Sequence, residues 1–179
     1  AKAPNLFEPY ARAAVARRRL RPTTVALYEK LLRLAILPTF GAKAIKDITK
    51  TDVAHWHASL QSTPTQQANA YGLLKSLLKD ALEDELIETN PCRIKGAGQK
   101  KRSGKIEILT ISQLESYLRA IPENRRVPLM LAGWCGLRSG EVRGLRVRDL
   151  DVDAGLIRVR QGVVRLKGRL LIGRPKTDA

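Results

Sequence analysis

The chain has 179 residues, room for one or two domains with a modest core each. Its 33 Lys and Arg against 17 Asp and Glu give a formal charge of +16 and a pI near 10.4, which points to a polyanionic partner. An apolar share of 44% without any run long enough to cross a bilayer excludes a membrane span, and no segment has the form of a signal peptide.

These features read as a cytoplasmic protein associated with the nucleoid. Cys92 and Cys135 lie in different halves with no neighbouring His or Cys, so neither a disulfide framework nor a zinc set is expected, and no cofactor is implied. Residues 1–95 carry 15 basic and 9 acidic side chains and residues 96–179 carry 18 and 8, so both halves are expected to meet the polyanion. The chain starts without Met and stops directly after Pro175-Lys176-Thr177 and two further residues, which reads as a piece cut at both ends.

In chain order, residues 6–19 are rich in helix formers, with Leu6, Tyr10, Ala13 and Ala14 on one stripe. The basic cluster Arg17, Arg18, Arg19 and Arg21 closes this helix, where cations suit the dipole. After Pro22, Thr23 is placed to cap a second helix to about Leu34, ended by Pro38 and Gly41. A third helix is expected from Thr51 to Leu60. Its His55 and His57 are two apart and point in different directions, so they do not share a metal.

Thr63 and Pro64 have the form of an N-cap with proline at the first helical position. They open the longest helix, to about Leu86. Its apolar face is Ala70, Leu73, Leu74, Leu77, Leu78, Ala81 and Leu82, while Lys75 and Lys79 share another side, either as a solvated face or as a phosphate track. Four helices with short connections make a compact all-α module over residues 1–95. Residues 95–105 hold three glycines and five basic residues without apolar periodicity, so 96–106 reads as a flexible basic linker.

A second domain, 107–179, opens on a capping box, Thr110 with Gln113. Residues 125–135 are apolar on almost every side and are expected as a buried helix. Arg138 follows, at the entrance of a short helix carrying Glu141, Val142 and Leu145; a surface Arg–Glu pair on an amphipathic helix explains that spacing equally. From Leu156 to Leu166 apolar and basic residues alternate as in a half-buried strand, and Lys167-Gly168 turns it into a second strand, Arg169 to Gly173. Asp149, Asp151 and Asp153 alternate as in a calcium loop, but no later Glu closes one at the required spacing.

Gly136-Leu137-Arg138-x-x-Glu141, followed by Leu145 and Asp149, resembles the first catalytic-arginine motif of the tyrosine recombinases, the phage-integrase family. Leu74-Lys75, Ala81, Leu86-Ile87 and Asn90-Pro91 resemble the close of that family's core-binding domain. Leu109-Thr110-x-x-Gln113-Leu114 matches the opening of its catalytic domain.

The resemblance covers nearly the whole chain. It implies a mainly α fold with a small β-sheet: a four-helix SAM-like core-binding domain, then the helical start and first two strands of the catalytic domain. It implies that Arg138 binds the scissile DNA phosphate with Glu141 in support, and that Lys176, in its Pro-Lys-Thr setting, protonates the leaving 5′ oxygen. Lys167 in the preceding turn is the competing candidate for that proton. The partner implied is double-stranded DNA, with self-association on it as a tetramer of the parent protein. Contacts are expected from Arg18, Arg19, Arg21, Thr24, Lys75 and Lys79 on the helical domain, and from Lys100, Lys101, Arg102 and Lys105 on the linker, mostly to phosphates.

The family also uses a His-x-x-Arg pair and a nucleophilic tyrosine downstream of the lysine. Neither occurs in these 179 residues, where Tyr10, Tyr28, Tyr71 and Tyr117 all lie upstream. The chain is therefore read as the DNA-binding, non-cleaving piece of a site-specific integrase. A non-enzymatic DNA-binding regulator is the second reading, separated from the first by the length of the open reading frame. An RNA-binding protein is disfavoured by an aromatic share of 4%, since single-strand recognition leans on stacking.

Overall fold

A computed structural model describes residues 5–100 and 107–175. The chain divides into two compact units, Ala1–Gly104 and Lys105–Ala179. It is mainly helical with two small two-stranded sheets, as the sequence implies.

The first unit begins with α1, Phe7–Arg17, whose N-terminus has no side-chain cap. The carbonyls of Lys43 and Gly41 take the amides of Phe7 and Glu8 instead (2.9 and 3.1 Å), so a helix start is satisfied by tertiary contact. Helix α2, Pro22–Leu31, is entered through Arg21 with Pro22 in its first turn; Thr23 is not the cap. Nor does Pro38 end it. The helix widens into a π-helical turn, Leu32–Ile36, and continues as α3, Leu37–Phe40. Proline has no N–H to give, and the widened turn accommodates it. The carbonyl of Ala35, within that turn, receives the Trp56 indole N–H at 2.6 Å.

A single 3₁₀ turn, Ile45–Asp47, leads to α4, Lys50–Ser59, which starts one residue earlier than Thr51 because Thr49 and Asp52 form a reciprocal capping box. Helix α5, Pro64–Glu83, is capped by Thr63 as its sequence predicts. Glu85 adopts φ +57, and the Leu86 amide returns to the Ala81 carbonyl at 2.9 Å. That left-handed residue stops the helix short of Leu86.

The core gathers Phe7, Phe40 and Trp56 edge to face, with ring centroids 6.3 and 5.5 Å apart, against Leu32, Ile36, Leu74, Leu77 and Leu78. Leu82, placed on the apolar face by spacing, is exposed. The segment beyond α5 stays attached: Ile94 and Ala97 pack on the core, so the stretch that reads as linker is tied to this unit through its first residues.

The second unit opens with α6, Ile111–Ala120, on the predicted Thr110–Gln113 box, then α7, Glu123–Gly133, and α8, Ser139–Gly144. The buried helix expected at 125–135 is corrected: no residue of α7 is buried, and Val127 is 63% exposed. Among the described residues only α6 and α8 make extensive contact with α7, too little to cover a helix that is apolar on most sides.

The single strand expected over 156–166 is broken in two. Strand β2, Leu156–Ile157, pairs antiparallel with β1, Leu150–Asp151; β3, Gly162–Leu166, pairs with β4, Arg169–Gly173. Between them Gln161 turns its amide to the Gly144 carbonyl at 2.8 Å, drawing the chain onto α8. A Cβ on Gly144 would lie 2.7 Å from the Gln161 carbonyl oxygen, so glycine is needed there. Lys167 (φ 48) and Gly168 (φ 81) form the predicted two-residue turn of the β3–β4 hairpin.

Candidate nucleic-acid interface and arginine site

Gly136, with φ +66, turns the chain out of α7, and the Leu137 amide anchors to the Leu131 carbonyl at 3.2 Å. Arg138 then stands in extended conformation at the N-cap of α8. Glu141, one turn on, accepts both the Arg138 backbone N–H (2.8 Å) and its Nη1 (3.0 Å). The carboxylate is the sheltered partner, 12% exposed against 58% for the guanidinium. Its pKa is held below the ordinary glutamate value, first by the backbone hydrogen bond and then by the side-chain one. Glu141 is thus a fixed anion that aims a largely solvated cation. A planar guanidinium in that position presents a fork that matches two oxygens of one phosphate.

Where α8 ends, Arg146 and Asp149 make a second, closed pair. Nε and Nη2 of Arg146 reach the two carboxylate oxygens at 2.8 and 2.9 Å, and the Arg146 amide adds a third bond at 3.2 Å. Asp149 is the one buried charged residue among those described, 1% exposed. Arg160 Nε lies 3.9 Å away, and the Asp149 carbonyl accepts the Arg158 amide at 2.9 Å. The Arg146 hydrogen bond is the main cause of the depressed Asp149 pKa. This knot joins the exit of α8 to the chain beyond β2. The i,i+3 spacing of Arg146 and Asp149 was the only signal of it in the sequence.

The other candidates separate by what already binds them. Arg18 is half-buried, its Nη2 2.6 Å from Asp80 and 2.9 Å from the Ser76 hydroxyl, so it ties α1 to α5. Arg17 meets Asp84 at 3.3 Å, and Asp84 also accepts the Tyr10 hydroxyl at 2.8 Å. Lys79 pairs with Glu83 at 3.2 Å on an open surface. Arg19, Arg21, Lys75 and Lys100 are exposed, and Thr24 is half-buried on α2. Lys101, Arg102, Lys105 and Lys176 lie outside the described residues. His57 packs edge-on to Tyr71, and no cluster of three metal-ligating side chains occurs among the described residues.

Comparison with known proteins gives consistent relatives. Residues 8–61 match the family described as phage integrase, N-terminal SAM-like domain. The chain is 38% identical over 174 residues to a putative prophage phiRv2 integrase of Mycobacterium tuberculosis, covering 97% of this chain and 46% of that protein. It is 33% identical over 175 residues to the integrase of Mycobacterium phage L5, covering 96% and 46%. The chain therefore spans about half the length of the curated relatives it matches. Among solved structures, it shares its fold with the Tn1549 transposon integrase in complex with circular intermediate DNA (TM-score 0.78, 22% identity, 92% of this chain and 57% of that one). It is also similar to a lambda integrase dimer bound to a core site (TM-score 0.66, 16% identity, 94% and 48%).

Proposed function

From the premise that this chain belongs to the phage integrase family of tyrosine recombinases, we propose that it is the duplex-holding part of a site-specific DNA integrase. The helical first unit acts as the core-binding domain, and the second brings part of the catalytic centre to the DNA. The observation that carries this reading is the Arg138–Glu141 arrangement: an exposed guanidinium with its carboxylate partner sheltered behind it, on a chain of net charge +16.

Arg138 grips two oxygens of the scissile phosphate and stabilises the charge that grows on them as the phosphorus is attacked. Glu141 holds the guanidinium in that direction. Lys176 delivers a proton to the leaving 5′ oxygen, the role of a general acid for a poor leaving group. In the whole protein a tyrosine is the nucleophile; it forms a 3′-phosphotyrosine that conserves the bond energy for rejoining. Cleavage is assigned to the whole protein and duplex binding to these 179 residues, with partner copies assembling on the DNA.

The test is made in the full-length integrase. Arg138→Lys keeps the charge and removes the fork, so cleavage is abolished while duplex affinity stays nearly unchanged. A cleavage rate within about threefold of the unmodified protein overturns the assignment.

A further inference from the structure

The chain leaving α5 does not hang free. Asn90 donates through Nδ2 to the Lys75 carbonyl at 3.0 Å and accepts the Cys92 amide at 2.9 Å. One turn back along α5, the Tyr71 hydroxyl receives the Ile94 amide at 2.8 Å and donates to the Ile94 carbonyl. Cys92 is buried between these ties and Ala97 packs on the core beyond them. Residues 90–97 are therefore fixed against the face of α5 that carries Lys75. Arg93, whose Nε reaches the Asn90 carbonyl at 3.4 Å, and Lys95 are exposed on this fixed segment.

The cations on this strip differ from those nearby. Arg17, Arg18 and Lys79 each have a carboxylate within 3.3 Å. Lys75, Arg93 and Lys95 take part in none of the ion pairs found among the described residues. Lys75 on α5 and the exposed Arg93 and Lys95 on the segment tied to that helix are like charges without a paired carboxylate, and an array of phosphates supplies the missing counter-charge.

We infer that Lys75, Arg93 and Lys95 form one phosphate-binding strip for the backbone of duplex DNA, and that Asn90 is the residue that pre-assembles it. The inference rests on the duplex-binding reading above and adds a site to it. Because the segment is ordered before DNA arrives, its ordering entropy does not weaken binding.

The experiment is a fluorescence-anisotropy titration of the 179-residue chain with a labelled duplex across a series of salt concentrations. The unmodified chain binds with a linear log-log salt dependence; failure here sinks the duplex reading itself. The double variant R93A/K95A, both positions being exposed, folds and lowers the slope by about 1.8, roughly 0.9 for each phosphate that is no longer neutralised. Lys79→Ala, whose charge is already countered by Glu83, lowers it by less than about 0.9. Asn90→Ala, checked for native helicity by circular dichroism, keeps the slope and weakens binding about tenfold, because the phosphates are still neutralised and the ordering cost returns. Normal duplex binding with an unaltered slope in R93A/K95A refutes the strip. Unaltered affinity in a folded Asn90→Ala chain refutes the pre-assembly.

Discussion

The two units solve the same problem unequally. In the first, twenty-one apolar side chains are buried, from Phe7 to Cys92; in the second, Val163 alone among the described residues reaches that state. The sequence hides this contrast, since α7, like α5, carries a run of apolar residues. The difference is in what surrounds each helix. Helix α5 is contacted by α1, α2 and the π turn, whereas α7 meets α6 and α8 and leaves Met130 and Trp134 about half in solvent. Amphipathicity says that a face wants cover, and only neighbours supply it.

The largest effect that follows is on folding itself. Residues 1–100 produced alone unfold in one cooperative transition, with a free energy of roughly 5 kcal/mol or more for a domain of this size. Residues 107–179 produced alone show no cooperative heat absorption and bind a hydrophobic dye. Calorimetry and dye fluorescence on the two pieces check this; a sharp transition in the second piece breaks the comparison.

A smaller effect sharpens it. If the second unit is held mainly by polar ties, Asp149→Ala loosens it more than the loss of any single exposed apolar side chain. The amide of Arg158 loses its protection from hydrogen exchange by at least about tenfold, while Val127→Ala leaves that amide unchanged. Exchange measured on the two variants side by side gives the answer.

The smallest effect belongs to the first unit and depends on pH. Asp52 has its pKa lowered to about 2, chiefly by the hydrogen bond from Lys43, then by those from the Thr49 amide and hydroxyl. A depressed folded pKa stabilises above the unfolded value, and that stability drains away as pH falls from about 4 towards about 2. Asp52→Asn lowers the urea midpoint at pH 7 and flattens its acid dependence in that window. Equal slopes for variant and unmodified chain between those limits count against the capping network.

Much of the fold could be read locally. Thr63-Pro64, the Thr110–Gln113 box and the Lys167-Gly168 turn each involve side chains within four residues of one another, where sequence and geometry coincide. The passage of a helix through Pro38 could not be read that way, because the indole N–H that donates to the Ala35 carbonyl lies on another helix. Of the site, Arg138 and Glu141 were legible because their pairing is one helical turn long. The partners of Arg18 are 58 and 62 residues away, so its structural role was invisible from its place in a basic cluster. The same holds for Asn90, whose hydrogen bond to Lys75 spans 15 residues.

The sequence by itself determined the helical character of the chain and its surplus of positive charge, since propensity, capping and composition act over a few residues or over none. Tertiary structure alone decided which of those charges are already answered. A guanidinium is neutralised by whatever carboxylate folding brings within about 4 Å, and Coulomb attraction at that range takes no account of distance along the chain.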